Sequence, residues 1–421
     1  MSVKAIHVNN NDLSGGAARA VKRLHQGLLQ RGVESSIFVR NKESDDETVL
    51  EFQPRETISS LLYRVTRYAG MRSDFFPWYV SWSRGGMPIS DDRSRFAGEV
   101  ADQLPPADLL HFHWIAEFID ILSFLERVNM PIVWTLHDMN PFTGGCHYTS
   151  GCRRFEQACG CCPQLESKRE NDPSSRSWER KRAAYKKKAR RNSLHVVAPS
   201  EWLAREAEQS ALFSGVPIHC IPHGLDHTLF RPRDVQHERR KISIPEGQKV
   251  ALFVAHSSTD PRKGFGILSE ALARLQFDDV TLISIGRNAP TVSEGLSHVH
   301  VGYVDENQRL SVLYSMADVF IIPSLQEAFG QTAIEAMACG TPVVGFNAGG
   351  IPDMVRPGET GWLAETGNVR SLRQAIESAL ENEGERRRMG QRCREVVEEE
   401  YTLERQARQY KSLYESILEQ Q

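Results

Sequence analysis

Residues 319–346 read VFIIPSLQEAFGQTAIEAMACGTPVVGF. Val319–Pro323 is a continuous apolar run closed by a proline, and Pro342–Phe346 repeats that pattern. Unbroken rather than alternating apolar residues predict strands covered on both faces. Between them, from about Phe329 to Ala338, helix formers carry apolar residues at helical spacing, with Gly330 before the helix and Gly340 after it. The stretch therefore predicts strand, loop, helix and strand, the unit of a parallel sheet flanked by helices.

The same rhythm extends outward. Upstream lie Val250–Ala255, Val280–Ile285 and His298–Val304; the first half supplies Val3–Val8, Ser36–Arg40, Leu109–Trp114, Ile132–His137 and Leu194–Ala198. A chain of 421 residues exceeds one ordinary core. The expected fold class is α/β, with two doubly wound, Rossmann-like parallel sheets facing a cleft. The turn Ile221-Pro222-His223-Gly224, followed by Arg231-Pro232, divides them. The expected domains are 1–220 and 221–400. Residues 401–421 form a closing helix with an apolar stripe. Two stretches break the rhythm of the first half. One spans about 43–100, centred on FFPWYVSWSRGGMP; the other is a Cys-rich loop at about 140–175.

Hydrophobic residues at 40% and charged residues at 25% are the balance of a soluble globular chain. A net charge of -3 gives no bias toward nucleic acid. No run approaches the roughly 20 apolar residues of a membrane span. The start, MSVKAIHVNN, reads as a buried strand rather than a secretion signal, so the expected location is cytoplasmic.

Three motifs fall where parallel sheets bind ligands, at the C-terminal ends of strands. Leu13-Ser14-Gly15-Gly16 follows the opening strand, and its glycines permit close backbone approach to an anion at a helix N-terminus. The spacing is not that of a dinucleotide-binding dehydrogenase; a plain tight turn is the alternative. Asp260-Pro261-Arg262-Lys263-Gly264-Phe265 offers two cations at a strand-to-helix turn, suited to a diphosphate, or to solvent. Glu327 and Glu335 lie at the loop and on the helix of the opening stretch, placed to accept sugar or ribose hydroxyls; two ordinary surface glutamates are the alternative.

Glu327 to Glu335 with AFGQTAI between them, then AMACGTPVV, resembles the Glu-x7-Glu signature of retaining GT-B glycosyltransferases, family 4. The early Gly-Gly, His137-Asp138, VAPSEWLA, IPHGLDHTLF, PRKGF, GGIPDMV and GETGWLAE extend the resemblance over most of the chain. TLHDMNPFTGGCHY is similar to a subset of bacterial enzymes that build surface polysaccharides. The resemblance implies a GT-B fold and transfer of a sugar from a UDP- or GDP-sugar to a glycan or lipid-linked acceptor. It implies that Glu335 holds the ribose, Glu327 the moving sugar, and Lys263 with Arg262 the departing diphosphate. Phe329, Gly330, Gln331 and Thr332 would line the donor, Tyr303 and Val304 the nucleobase. Gly15, Gly16 and His137 come from the first domain, His137 near the reacting carbon. The chain departs from the family at Ser257 and Ser258, where an Arg is usual, and at His223, where Asn is usual. No acidic pair at a strand end suggests a catalytic metal, so the chemistry is expected to need no cofactor. A sugar-nucleotide epimerase and a non-catalytic nucleotide-sugar sensor are the alternatives; a phosphorylase would need a much longer chain.

Two clusters stand outside that scheme. Cys146, Cys152, Cys159 and Cys162 suit a structural zinc site, the alternatives being packed thiols or a disulfide. Arg180–Arg191 holds eight cations, which suit contact with an anionic membrane or a solvated helix face.

Overall fold

A computed structural model describes residues 2–75, 89–191, 193–242, 244–245, 247–277 and 279–420. The chain divides into two compact units, Met1–Ile221 with Ala407–Gln421, and Pro222–Gln406.

The first unit carries seven parallel strands: β1 Lys4–Asn11, β2 Glu34–Asn41, β3 Val49–Glu51, β4 Leu109–Phe112, β5 Ile132–Thr135, β6 Leu194–Ala198 and β7 Ile218–Cys220. Their order is β3-β2-β1-β4-β5-β6-β7. The chain winds outward from β1 in one direction and from β4 in the other, so the winding reverses between these two neighbours. The closing helix Leu403–Glu419 sets Ala407, Tyr410, Tyr414 and Ile417 into a core with Val3, Ala5, Leu28, Leu109, Val133 and Val197. These are β1, β4, β5 and β6 side chains for the most part, so the helix covers one face of the sheet centre.

The second unit has six parallel strands: β8 Lys249–Val254, β9 Val280–Ile285, β10 Ser297–Gly302, β11 Val319–Ile322, β12 Val343–Phe346 and β13 Gly361–Ala364. Their order, β10-β9-β8-β11-β12-β13, reverses between β8 and β11. Val250, Leu252, Phe320, Ile322 and Val343 pack into one core, while Ala251, Phe253, Val319, Ile321 and Val344 pack into another. Successive side chains point to opposite faces, so a sheet buried on both sides demands the unbroken apolar runs seen in the sequence. Each of the Val, Leu, Ile and Phe side chains contributes about 1.5–3 kcal/mol on burial.

Several expectations need correction. The helix begins at Gln331, not Phe329, because Gly330 at φ 103° is its N-cap. Much of the FFPWYVSWSRGGMP segment lies outside the described residues; the helix before it, Ile58–Phe75, has no buried residue. The eight cations of Arg180–Arg191 do not form one solvent face. Lys181 and Lys188 are buried, with Lys181 Nζ donating to Asn140 O at 2.6 Å and Lys188 Nζ donating to Val128 O. Arg180 donates to Asp92 at 2.9 Å. Only Arg182, Lys186, Lys187, Arg190 and Arg191 remain at the surface. Among the described residues no helix is long and apolar enough to cross a membrane.

Candidate functional site

In the second unit the expected residues gather at the winding reversal between β8 and β11, where open α/β sheets bind ligands. A turn after β8, Pro261–Lys263, is capped by Asp260, which accepts from the Arg262 N–H at 3.0 Å. The loop after β11 carries Glu327. Lys263 Nζ donates to Glu327 Oε2 at 2.7 Å, with both side chains partly exposed. Backbone contact fixes this pair. Gly264, at φ 68°, lies so close to β11 that a Cβ there would stand 1.9 Å from Pro323 O. Leu325 N–H donates to Arg262 O at 2.7 Å, tying the Lys263 turn to the Glu327 loop. From the other side, Gly350 N–H donates to Glu327 O at 2.9 Å, and a Cβ on Gly349 would lie 2.1 Å from that oxygen. Only glycine fits at 264 and 349 without moving backbone.

The other donor-side residues are placed less uniformly. Arg262 donates to both Asp260 oxygens, at 3.2 and 2.6 Å, so its own turn already neutralises it. Glu335 is fully enclosed rather than presented to solvent, and the Tyr314 hydroxyl donates to its Oε2 at 2.8 Å. Phe329 and Val304 are core side chains, Phe329 packing edge-on against His223 at 5.2 Å. Gln331 and Thr332 are half-buried in the first helical turn. Tyr303 is 42% exposed just beyond β10. Its ring meets His256 edge-on at 5.8 Å, and Arg287 stacks over it at 5.4 Å. His256 and Arg287 follow β8 and β9 directly. They were missed in the sequence, although their place just past strand ends was the signal.

The first unit's reversal point, between β1 and β4, holds a different set. Gly15 starts the helix Gly15–Gln30 at φ 94°, and Gly16 follows it at the surface. Beneath lies a ladder of histidines that sequence reading did not find. His7 Nδ1 is 3.0 Å from His113 Nε2, and His113 Nδ1 is 3.1 Å from His137 Nε2. His111 stacks beside them, its two ring nitrogens 2.6 Å from the Tyr414 hydroxyl and 2.7 Å from the Thr135 hydroxyl. Burial holds His7 and His111 well below the ordinary histidine range; it brings His137 to about 4, against the opposing pull of Asp138. His7, His111 and His137 are therefore neutral at pH 7. His7 Nε2 has no partner among the described residues, and an orphan buried N–H is rarer than an orphan lone pair. With the His7 proton on Nδ1 donating to His113, and the His113 proton on Nδ1 donating to His137, the tautomer of His137 would depend on residues two strands away. Next to it, Asp138 accepts from Trp114 at 2.9 Å and from His147 at 2.6 Å.

With the geometry established, comparison with known proteins is informative. Residues 14–229 match the model of Glycosyltransferase Family 4, and residues 234–396 match that of Glycosyl transferases group 1. The chain belongs to glycosyltransferase family 4. Among curated relatives, D-inositol 3-phosphate glycosyltransferase of Geodermatophilus obscurus is 25% identical over 87% of this chain and 78% of its own. N-acetyl-alpha-D-glucosaminyl L-malate synthase of Bacillus anthracis is 26% identical over 48% of this chain; there the match spans about half of the relative, 54%. Among solved structures, sucrose-phosphate synthase from Thermosynechococcus elongatus superposes with a TM-score of 0.67 at 21% identity, covering 100% of both chains. Anabaena HepE, solved with UDP-glucose, gives 0.64 at 16% identity, covering 98% of this chain and 100% of its own. Both structural likenesses carry the fold of this family 4 member, GT-B, and the two six- and seven-stranded parallel sheets agree with it.

Proposed function

We propose that this family 4 glycosyltransferase moves a hexose-type sugar from a UDP- or GDP-sugar to a glycan or lipid-linked acceptor, with retention of the anomeric configuration, in polysaccharide synthesis. The observation that carries the donor assignment is the Lys263–Glu327 pair at the β8/β11 reversal, held by glycines 264 and 349. Breaking the sugar–phosphate bond puts positive charge on the ring and negative charge on the departing diphosphate. An ammonium fixed at the diphosphate meets charge that grows in the transition state, so it stabilises that state more than the ground state. In this reading the diphosphate competes with Glu327 for Lys263, and Glu327 turns its oxygens to sugar hydroxyls. The leaving-group charge is met by the chain's own cation, and the scheme uses no metal.

Glu335, enclosed with Tyr314 holding one of its oxygens, would serve the proposed ribose role only once local movement uncovers it, and Tyr303 with Arg287 offers a face to the base. A lipid-linked acceptor is supported by the first unit. Ile58, Leu61, Leu62 and Val65 stand exposed on the helix whose last turns line a cavity of about 170 Å³ with Arg40, Arg72 and Arg95. Apolar surface beside cations suits an anionic lipid carrier, with Asp91 and Glu117 also lining the cavity and offsetting part of that charge.

Thermal shift against UDP-, GDP- and ADP-sugars tests the donor, since a ligand bound only by the folded state raises stability, by about 2.7 kcal/mol at 100 times Kd. One base should stand out, and the product of that donor should keep its anomeric configuration by NMR. No shift with any of the three, in protein that is folded, would remove the proposed UDP- or GDP-sugar donor.

A further inference from the structure

Five of the chain's eight cysteines lie between Cys146 and Cys162, and the transfer chemistry uses none of them. The fold sorts the five. Cys146, Cys152, Cys159 and Cys162 line one small cavity of about 20 Å³. Cys161, between two of them in sequence, does not; its backbone is left-handed at φ 43°, which swings the thiol off that wall. His147, next to Cys146, also faces away, bonded to Asp138 at 2.6 Å and to the Ser90 hydroxyl at 2.8 Å. Of six neighbouring residues able to bind a soft cation, four thiols line this one cavity. Four sulfur ligands and no open position describe a closed tetrahedral zinc site.

The surroundings of the sulfurs agree. Gly144 N–H donates to Cys159 Sγ at 3.1 Å. A neutral thiol is a weak acceptor, whereas a metal-bound thiolate is held in place by such N–H donors. The close approach is specified in the chain. A Cβ on Gly144 would lie 2.7 Å from the Cys159 Cβ and 3.0 Å from its sulfur, and one on Gly160 would lie 2.4 Å from Glu170 O. The Lys181 ammonium, buried in the same unit, donates to the carbonyls of Asn140 and Thr143, which flank the loop. A four-thiolate zinc site carries two negative charges, so a buried cation close by is favourable to it.

We propose that Cys146, Cys152, Cys159 and Cys162 bind one structural zinc ion that pins the loop carrying them next to Asp138 and His147. Binding replaces four S–H protons by four S–Zn bonds. No three of these sulfurs lie within 4.8 Å of one another, a spacing that His7, His111 and His113 do meet. Seating the ion therefore draws the loop inward, which its glycines at 144, 145, 151 and 160 permit. In the histidine cluster both His111 nitrogens are bonded to Tyr414 and Thr135, and His7 Nδ1 to His113, which leaves His7 Nε2 as its one unpartnered nitrogen among those three contacts.

The test is elemental analysis of the full chain, purified without a histidine tag or chelator, together with thiol titration after denaturation. About one zinc per chain, with all eight thiols titrating once the metal is chelated, is expected. Cobalt exchanged for the zinc should show the intense thiolate-to-metal absorption of a tetrahedral sulfur site. The Cys161→Ala chain should keep its zinc, whereas Cys159→Ala with Cys162→Ala should lose it. Should that double variant fail to fold, the native chain and Cys161→Ala still decide. Native protein without zinc overturns the proposal: full thiol reactivity then identifies packed thiols, and two missing thiols a disulfide. Loss of zinc from Cys161→Ala overturns the ligand set.

Discussion

In the second unit, the strands at the winding reversal bring an ammonium and a carboxylate together, Lys263 and Glu327 at 2.7 Å. In the first unit the corresponding strands, β1 and β4, bring together buried imidazoles, His7 and His113 at 3.0 Å, and burial keeps His7 uncharged. The strand order around the two reversals is the same. The difference lies in solvent. Lys263 and Glu327 are partly exposed and can afford charge, ready to exchange partners with a ligand. The histidines are walled in by β1, β4, β5 and the closing helix, where an ionised group is costly and a relay of neutral hydrogen bonds is not. One reversal point presents a partly exposed ion pair; the other encloses a set of hydrogen-bonded imidazoles that reaches His137.

The sharpest way to break this contrast is to remove the exposed charge. Lys263→Ala should slow transfer by roughly 10²–10³, the usual cost of losing one group that meets developing charge. Arg262→Ala should cost far less, because Asp260 already occupies that guanidinium. Glu327→Ala should act on kcat more than on donor affinity, since its partner in the reaction is the moving sugar. Steady-state kinetics on the three variants separate them. Full activity in Glu327→Ala, or equal losses for Lys263 and Arg262, would show that the second unit's pair is structural.

The neutral ladder makes the opposite prediction, about folding rather than catalysis. A histidine whose pKa drops from 6.5 to about 4 on burial binds fewer protons folded than unfolded. Unfolding then takes up protons as pH falls below 6.5, so the stabilisation is complete above that value and is lost on the way down to about 4. For His137 alone this amounts to about 3 kcal/mol, and His7 and His111 shift the same way. Thermal melting followed from pH 7 to 4.5 should fall steeply, with a proton uptake on unfolding measurable by calorimetry in buffers of different ionisation enthalpy. A flat melting temperature over that range would mean that the ladder is hydrated or charged.

What could be read beforehand follows the same division. The central strands were legible because a strand buried on both faces must be an unbroken apolar run, as in VFII and VVGF. The short strands β3, β7 and β13 were not. All three are edges, paired on one side only, so residues such as Glu51, His219 and Trp362 suffice there. Lys263 and Glu327 were legible because charges past strand ends stand out against apolar strands. The histidine ladder depends on the register that sets His7 beside His111, which no local pattern encodes. In the basic helix a signal was present but overlooked. Lys181 and Lys188 are seven residues apart, on the stripe of Ser174, Trp178 and Tyr185, and so share its buried face.

The smallest expected effect sharpens the second unit's side of the comparison at the base. Tyr303 stands 42% exposed beyond β10, its ring between His256 and Arg287 at the strand ends. If the donor lies along these ends, with its diphosphate at Lys263, the nucleobase falls on this ring. Base–aromatic stacking is sequence-tolerant and modest, about 1–3 kcal/mol by alanine substitution, and a partly solvated ring should sit at the low end of that range. Such a contact is the same in ground and transition states, so its removal weakens binding without slowing the bound complex. Tyr303→Ala should therefore raise Kd for the preferred nucleotide by about five- to tenfold, roughly 1–1.4 kcal/mol, and leave kcat within a factor of two or so. Tyr303→Phe should restore affinity, because the contribution comes from the face and not the hydroxyl. Calorimetric titration of the three proteins decides it. A loss confined to kcat would move the base away from Tyr303 and leave the donor anchored by Lys263 alone.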